Sequence, residues 1–571
     1  MIETDVHQQL RAFLRAQGEL PWLHHLTMAR LVARSLRVKR TAIIQVGSAA
    51  GTGRHRLSYL TPVLLWSEPI VLVASTEIQQ RLIRVEIPRL RQWLSDRPLA
   101  QRPIVQCHQW QTLSTLPDLT IPSASPTLIL VSPTLWLQSR LSDPQSPLHG
   151  ITTVIDEADD LEDWARQLLT LEIHPSDWQA LMLAYPDATE LIRDTRVAMT
   201  HHVLRHPPSP YECWQLGDQE RRWLQDLFTQ LDTKAPLSDR APRGWQQLAQ
   251  ILHTPHHPIL VHLDRRMGQF HLSGSPLHLA DRLAPLWESQ TTLFIGSCLD
   301  GDAQASLFQQ RIGLDRLQDN RPQGDRPTNE KFQDQPPCNN PTAEPSTPAP
   351  DLPHPTLTCL KFSPDRQQES IQLYLPDHLP LPNTPQFQPA LLQHLYKLLS
   401  HPNAPWTRDR GITVILVSDL PLKGQLAAQL AADFGSRVQM DDTGLDDNGI
   451  LVCTWEFWRH HQQNLPVPRL LIMVALPIPS LEDPRVASTV AYYKQQRQDW
   501  FRLYLLPTAL SELQRAIAPI RQAAATQPDN PDTLVALLDS RVIHRSYGQE
   551  VLAALSPLAR LSYLDDQWSA S

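Results

Sequence analysis

Cysteine, glycine and long hydrophobic runs are all scarce in this 571-residue sequence. The six cysteines lie far apart, with no CxxC motif and no histidine at metal-ligand spacing from a cysteine. Neither a disulfide framework nor a zinc site is therefore indicated. No stretch of about 18 or more apolar residues occurs, and the acidic amino terminus lacks the basic pattern of a signal peptide. These absences predict a cytoplasmic protein with reduced thiols and no membrane span.

An excess of basic charge is missing as well. The net charge is −8 and the pI is about 6.3, so any binding of nucleic acid must use a local groove. The 19 glycines stand against 52 prolines, which indicates many loop stops and few strained turns. The length exceeds that of one hydrophobic core, and about three or four domains are expected.

The clearest motif is Ile151-Thr-Thr-Val-Ile-Asp-Glu-Ala-Asp-Asp160, in which β-branched residues run directly into acidic ones. It predicts a buried parallel strand that ends in carboxylates, at the sheet edge where α/β proteins bind ligands. In a nucleotide hydrolase, Asp156 would hold Mg²⁺ and Glu157 would orient or deprotonate the attacking water. The alternative is an acidic first turn of a helix, because carboxylates are favoured at helix amino termini.

A second motif lies about a hundred residues earlier, where a predicted strand leads into a glycine-rich loop, 47–55, and an apolar helix. This arrangement is typical of a P-loop, whose backbone N–H groups hold phosphates while a lysine and a hydroxyl complete the site. The glycines are present, but Arg54 takes the lysine position and His55 the hydroxyl position. Arginine keeps the charge without the compact ammonium, and histidine offers no oxygen ligand.

The next predicted strand is followed directly by Ser75 and Thr76. These two residues precede an amphipathic helix over 77–93, which carries Arg81 and Arg84. A turn and a basic helix in this place could contact a nucleic-acid backbone. The alternative is that these arginines coat an exposed helix face.

Beyond the acidic motif the pattern changes twice. A long helical segment bearing tryptophans reaches to about residue 285, and its aromatics are either core or stacking platforms for bases. Residues 316–356 are rich in proline and polar residues, which predicts a disordered linker. A second strand–helix alternation follows, so two α/β sheet domains are expected. Its predicted strands lie at 412–417, 450–453, 470–476, 500–506 and 534–538.

Taken in order, the glycine-rich loop, the Asp-Glu-Ala-Asp sequence and the second α/β half resemble the superfamily 2 DNA helicases of the DinG and XPD type. The carboxy-terminal half adds more specific matches to that group's motifs, in the same order along the chain. These matches are Thr454-Trp-Glu-Phe-Trp458, 471–479 with Asp483-Pro484, 513–521, 538–541 and 546–548, while 291–299 resembles the family's "TSATL" segment.

The resemblance implies two RecA-like P-loop domains that clamp ATP and Mg²⁺ between them and carry single-stranded DNA, or RNA, across them. It implies a monomer that binds no membrane. The implied site residues are Gly51, Thr52, Gly53, Arg54 and His55 for the nucleotide, Asp156 for the metal, Glu157, Gln514 and Arg521 for catalysis, and Ser75, Thr76, Arg81 and Arg84 for nucleic acid. The implied domains are 1–163 and 289–315 for the first motor domain, 164–288 for a helical insertion, 316–356 for the linker and 357–571 for the second motor domain.

Several of the family's residues are replaced. The "SAT" triplet appears as Gly296-Ser297-Cys298, and the Gly-Arg pair of the last motif is Ile517-Ala518. The family's iron–sulfur cluster needs four cysteines between the P-loop and the acidic motif, and Cys107 alone lies there, so no cluster is expected. Losing an arginine finger costs on the order of 10³–10⁵ in turnover.

Two functions remain open from the sequence. One is an ATP-dependent DNA helicase homologue with weak or absent hydrolysis, in which ATP affinity is reduced less than turnover. The other is a catalytically inactive pseudo-helicase that serves as a nucleic-acid or protein binding module.

Overall fold

The computed structural model describes residues 2–17, 22–114, 126–143, 146–254, 257–319, 357–364, 370–400, 411–526 and 533–563. None of the helices in these ranges is long and apolar enough to cross a membrane. The predicted linker, 316–356, lies outside the described residues apart from one helical turn at Arg316–Asp319.

The first half of the chain builds a parallel sheet that is covered by helices on both faces. Its central strands are buried along their whole length, as continuous apolar runs in a parallel sheet should be. The elements are α1 (Ile2–Gln17), α2 (His25–Val38), β1 (Thr41–Gln45), α3 (Ala49–Thr52), α4 (Arg56–Leu65), β2 (Ile70–Val73), α5 (Thr76–Arg81), a π-helical turn (Leu82–Glu86), α6 (Ile87–Trp93), β3 (Ile104–Cys107), α7 (Trp110–Ser114), β4 (Leu128–Val131), α8 (Pro133–Ser142), β5 (Thr153–Ile155) and α9 (Leu161–Leu169).

The insertion that follows is mixed rather than purely helical. A four-stranded antiparallel sheet, in the order β6-β9-β8-β7, packs against its helices. Alternating burial along β9 is the period-2 pattern of a half-covered strand. The elements are β6 (Leu171–Ile173), α10 (Pro175–Ala184), α11 (Thr189–Val203), β7 (Cys213–Gln215), α12 (Asp218–Lys234), α13 (Leu237–Arg240), α14 (Arg243–Leu252), β8 (Ile259–Asp264) and β9 (Gln269–Gly274).

The chain then returns to the first sheet through α15 (Ala280–Glu288), β10 (Thr292–Gly296), α16 (Ser306–Ile312), α17 (Arg316–Asp319) and β11 (Leu357–Lys361). The side chains of α15 belong to the first domain's core, so the insertion ends before the predicted residue 288. β11 pairs in parallel with β1 over five residues. The predicted start of the second domain at residue 357 is therefore corrected, because β11 completes the first sheet in the order β11-β1-β10-β5-β2-β4-β3.

The second domain is another seven-stranded parallel sheet, in the order β14-β15-β13-β16-β17-β12-β18. Together the two sheets confirm the expected pair of RecA-like α/β domains. Its elements are β12 (Ile371–Tyr374), α18 (Phe387–Leu399), β13 (Thr413–Leu416), α19 (Leu420–Phe434), β14 (Val438–Met440), β15 (Ile450–Cys453), α20 (Trp455–His461), β16 (Leu470–Met473), α21 (Pro484–Gln495), a π-helical turn (Phe501–Leu505), α22 (Leu506–Thr526), β17 (Leu534–Leu537), α23 (Arg541–His544), α24 (Gly548–Ala554) and β18 (Leu558–Leu561).

Candidate nucleotide site

The acidic motif lies where the sequence predicts it, at the carboxyl end of a central strand. β5 runs between β10 and β2, and Asp156 follows it directly with its N–H donating to Val73 O at 2.9 Å. The Asp156 side chain is buried, with only 1% of the residue's surface exposed. A carboxylate in this place must be matched by a cation or by hydrogen-bond donors.

The match comes from the chain itself. The Asp156 carboxylate accepts from Arg56 Nε at 2.9 Å, Tyr59 Oη at 2.8 Å and His55 Nε2 at 3.2 Å. The backbone N–H of Glu157 donates to it at 3.0 Å. His55 Nδ1 lies 3.1 Å from Ala49 O, so both ring nitrogens face oxygen atoms. We call Asp156, Arg56, His55 and Tyr59 the buried cluster.

The electrostatics of the buried cluster follow from this packing. Burial alone would raise the pKa of Asp156, but the Arg56 guanidinium and the His55 hydrogen bond hold that pKa well below its ordinary value. Burial would likewise lower the pKa of Arg56, and the neighbouring Asp156 carboxylate raises it instead. Each charge therefore favours the ionised form of its partner.

Glu157 behaves in the opposite way. Burial, followed by repulsion from the neighbouring Asp156 carboxylate, raises the pKa of Glu157 to about 8. Its backbone is left-handed, with φ of 59°, and its side chain shares a hydrogen bond with Ser75. At neutral pH the raised pKa favours the protonated form of this carboxyl.

These residues do not fit a Mg²⁺ ion. Magnesium requires an octahedron of oxygen ligands at about 2.0–2.1 Å and keeps several of its waters. At Asp156 both carboxylate oxygens already accept hydrogen bonds, and the Arg56 guanidinium supplies the positive charge that a metal would bring. The predicted metal ligand is thus bound within the protein.

The glycine-rich loop is closed by its own backbone. The N–H groups of Ala50, Gly51 and Gly53 donate to the carbonyls of Gly47, Ser48 and Ala50 at 3.0–3.2 Å. These are helical turns, continuous with α3, rather than a ring of donors directed at one anion. The N–H groups of Gly51 and Gly53, two residues of the predicted phosphate site, are therefore already hydrogen-bonded within the loop.

Side chains fill the space beside the loop. A Cβ at Gly53 would collide with Arg56 Nη1, and a Cβ at Gly51 would collide with Gln522 Nε2 from α22. Gln522 Nε2 also donates to Ser48 O at 2.8 Å. Arg54 is exposed at the surface, and the Thr52 side chain lies outside the described residues.

The two predicted contributions from the second domain are engaged within that domain. Gln514 Nε2 donates to Ala554 O at 3.1 Å. Arg521 is buried, and its Nη2 donates to Leu555 O at 2.6 Å and Ser556 O at 2.9 Å. Both side chains donate to backbone carbonyls of α24 and the loop after it, and neither has a described contact with the acidic motif.

A residue that sequence reasoning missed makes the contact instead. Arg515 Nη1 donates to Asp160 Oδ1 at 3.1 Å, and its Nη2 donates to Asp159 O at 3.1 Å. Burial would lower the pKa of Arg515, but Asp159 and Asp160 raise it. Arg515 stands one helical turn before Ala518, the position of the family's missing arginine, and that i−3 spacing was the available signal.

Asp159 in turn fixes the segment after β10. Its carboxylate accepts from Ser297 N at 2.6 Å, Ser297 Oγ at 3.0 Å and Cys298 N at 2.8 Å. Gly296 is required there, because a Cβ would lie 2.6 Å from Asp159 Oδ2. The acidic motif, the 296–298 segment and α22 therefore form one connected network.

The residues predicted to contact nucleic acid lie together on α5 and the π-helical turn after it. Ser75 is half-buried against Glu157, and Thr76 is exposed. Arg81 Nε donates to Glu86 Oε1 at 2.7 Å, while Arg84 is exposed. None of these residues lines the interdomain cleft described next.

A cleft of about 1310 Å³ separates the two sheet domains and the insertion. Among the described residues that line it are seven carboxylates and seven Arg or Lys side chains, so its charges balance. Three half-buried tyrosines stand on one wall, with the rings of Tyr493 and Tyr504 stacked at 6.3 Å and those of Tyr492 and Tyr493 edge to face at 5.8 Å. Flat aromatic groups beside arginines can hold nucleic-acid bases.

Cys107, the one cysteine between the loop and the acidic motif, is buried in β3. The expected lack of an iron–sulfur cluster stays a prediction.

No protein-family model matches this chain, and no curated protein matches it in sequence. Solved structures do. The chain titled "XPD_APO" aligns with a TM-score of 0.53 over 94% of this chain and 100% of its own, at 11% identity. "XPD_Helicase" aligns with a TM-score of 0.51 over 94% and 99% of the two chains, also at 11% identity. "Structure of S. tokodaii Xpd4" gives 0.50 over 95% and 100%, at 11% identity.

Proposed function

We propose that this chain, which has the fold of the XPD-type superfamily 2 helicases, is a pseudo-helicase that binds single-stranded nucleic acid without hydrolysing ATP. The observation that carries the proposal is the ion pair between Arg56 and Asp156, 2.9 Å long and buried on both sides. It ties up the side chain that would otherwise hold Mg²⁺. Without that metal, the charge that develops on a transferring phosphoryl group has no counter-ion.

Three further features support the loss of turnover. The loop N–H groups of Gly51 and Gly53 are used in turns, Gln522 occupies the space beside Gly51, and the raised pKa of Glu157 disfavours its carboxylate form at neutral pH. Arg515 meets the acidic motif from the second domain, but it contacts Asp159 and Asp160 rather than the loop. The second domain thus packs against the first as a structural partner.

The nucleic-acid ligand is supported by the tyrosine wall of the cleft. Stacking of one base on an aromatic side chain contributes about 1–3 kcal/mol and tolerates any base. Because the charges of the cleft balance, stacking should contribute more to the binding free energy than attraction to phosphates does. We therefore expect single-stranded DNA or RNA to bind with a shallower salt dependence than a basic groove would give.

An ATPase assay tests the first half of the proposal. The purified full chain should give no Mg²⁺-dependent phosphate release above background, with or without single-stranded DNA. Arg54→Lys with His55→Thr should restore little, because Arg56 would still occupy Asp156. Adding Arg56→Ala should raise turnover more than it tightens nucleotide binding. Robust DNA-stimulated hydrolysis by the unaltered chain would contradict the proposal.

Fluorescence anisotropy with a labelled single strand tests the second half. Tyr492→Ala should weaken binding by about 1–3 kcal/mol, the value of one stacked base. Tyr563→Ala is the matched control, because Tyr563 is 72% exposed and lies outside the cleft. No binding by the unaltered chain, or equal losses in both variants, would argue for a protein partner instead.

A further inference from the structure

Three metal-ligating side chains meet in the insertion, far from the buried cluster in sequence. His202 lies at the end of α11, His206 follows one turn later, and Glu220 stands in the first turn of α12. One ligand atom from each lies within 4.8 Å of the others. The group contains no cysteine, so the cysteine patterns typical of zinc sites did not predict it.

The distances suit a metal better than a hydrogen-bonded cluster. His202 Nε2 is 3.5 Å and His206 Nε2 is 3.8 Å from Glu220 Oε1. Both distances exceed the range of about 2.7–3.2 Å for an N–H···O hydrogen bond. Ligand atoms bound to zinc at about 2.0–2.1 Å in a tetrahedron lie about 3.4 Å apart, so a small cation fits between them after little movement.

The carboxylate needs a positive partner. Only 3% of the Glu220 side chain is exposed, and a charge so buried is costly unless it is paired or bound to a metal. Its other oxygen, Oε2, is packed against Gly217, where a Cβ would lie 2.5 Å away. Gly217 therefore keeps Glu220 directed at the two histidines.

The histidine rings are held from behind. His206 stacks on Trp214 with ring centres 5.0 Å apart, and His202 meets Trp223 edge to face at 5.6 Å. Arg265 Nη2 donates to the carbonyl of His206 at 2.7 Å. Rings fixed in this way lose little freedom when they bind a metal, which is the service that outer contacts give to metal ligands.

We propose that His202, His206 and Glu220 bind a divalent transition metal, with zinc as the expected ion. Two imidazoles and one carboxylate are a donor set that zinc takes in sites with three protein ligands and one open position. The histidine side chains are 40% and 31% exposed, so the open position faces solvent. The metal would join the end of α11 to the start of α12.

The test uses the full chain, stripped with a chelator and titrated with zinc chloride by calorimetry. One zinc per chain is expected. His206→Ala and Glu220→Gln should each abolish that binding, while His201→Ala, the exposed neighbour on α11, should keep it. Stripped chain that takes up no zinc, or binding that survives both substitutions, would overturn the proposal.

A second measurement covers the case in which a variant fails to fold. Cobalt(II) added to the unaltered stripped chain should give the visible absorption of a four-coordinate site, and one equivalent of zinc should remove it. An absorption spectrum of six-coordinate aqueous cobalt alone would equally overturn the proposal. Neither readout depends on nucleotide or nucleic-acid binding, so the metal site and the proposed function can fail separately.

Discussion

At the scale of single residues, Arg56 supplies to Asp156 the positive charge that a magnesium ion would otherwise bring. A hydrated ion exchanges, whereas the Arg56 guanidinium is attached to the chain, 4% exposed, and directed at Asp156 by the first turn of α4. Its contact with Gly53 places the same group beneath the loop. Arg56 thus engages the predicted metal ligand and also fills the space at Gly53, while Gln522 fills the space at Gly51.

A double-mutant cycle measures this ion pair. Asp156→Asn should lower the free energy of unfolding by about 3–5 kcal/mol, because it leaves the Arg56 charge buried and unpaired. Arg56→Gln should cost a similar amount, and the double variant should cost less than the sum. Urea unfolding of the metal-free chain provides the values. If Asp156 served only a metal, its substitution would change stability by less than about 1 kcal/mol under these conditions.

Glu157 predicts a dependence of stability on pH. Its pKa is raised to about 8 from an ordinary value near 4.5, so the native chain binds a proton that the unfolded chain releases. Stability should therefore fall as the pH rises from about 4.5 to about 8. Glu157→Gln should remove that part of the slope and make the protein more stable than the unaltered chain above about pH 8. Parallel thermal-unfolding curves for the two proteins would count against this interpretation.

The role of Arg56 could not be predicted from the sequence. Arg54 and His55 were recognised as replacements because they occupy motif positions. Arg56 occupies none, and its role depends on Asp156, a hundred positions away in the sequence. An ion pair between the first turn of a helix and the end of a distant strand leaves no local pattern in the sequence.

At the scale of elements, α22 decides how the two sheet domains meet. It presents Arg515 and Gln522 to the first domain, about two helical turns apart, and both reach backbone carbonyls there. Four carboxylates surround Arg515, and the largest contributions to its raised pKa come from Asp159, Asp160 and Glu512. The helix thereby links the two sheet domains directly.

Removing that arginine should loosen the interface. Arg515→Ala leaves the acidic groups facing one another, so we expect a larger radius of gyration in small-angle scattering and a lower unfolding temperature. Both effects should become smaller as the pH falls, because the raised pKa values of Asp160 and Glu512 favour their neutral forms at lower pH. Arg502→Ala is the matched control, since its ion pairs with Asp499 and Glu550 are exposed. Identical scattering for the two variants would show that Arg515 does not hold the domains.

Elements with strong patterns were predicted well. The strand predictions at 412–417, 450–453, 470–476 and 534–538 are confirmed by β13, β15, β16 and β17. The one at 500–506 is wrong, because Phe501–Leu505 forms a π-helical turn that continues into α22. A short apolar run carries no period that separates a strand from a buried helical turn.

At the scale of the whole molecule, the two α/β domains and their order were predictable because each alternates strand and helix in a parallel sheet. The insertion's sheet was not, since β6 and β7 have three residues each and helices separate them from each other and from β8 and β9. The domain boundary was misplaced for a related reason. The five residues of β11 carry no sequence pattern that predicts which of the two similar sheets they join.

The position of β11 shortens the covalent connection between the two sheet domains. The covalent connection is not the composition-biased segment 320–356, which leaves and re-enters the first domain, but the few residues between Phe362 and Ile371. Phe362 is anchored, packed on Trp22 at 5.1 Å and on His24 at 4.7 Å. Fully extended, this connection reaches about 30 Å.

Inserting ten Gly-Ser residues after residue 340 should therefore leave interdomain distances measured by energy transfer unchanged, whereas the same insertion after residue 366 should widen their distribution. If the insertion after residue 340 widened the distribution and the one after residue 366 did not, the hinge would lie in 320–356. Changes in the length of the segment before β11 do not alter the distance by which the two sheet domains can separate. Each residue added after β11 increases that distance, and with it the separation of Arg515 from the first domain.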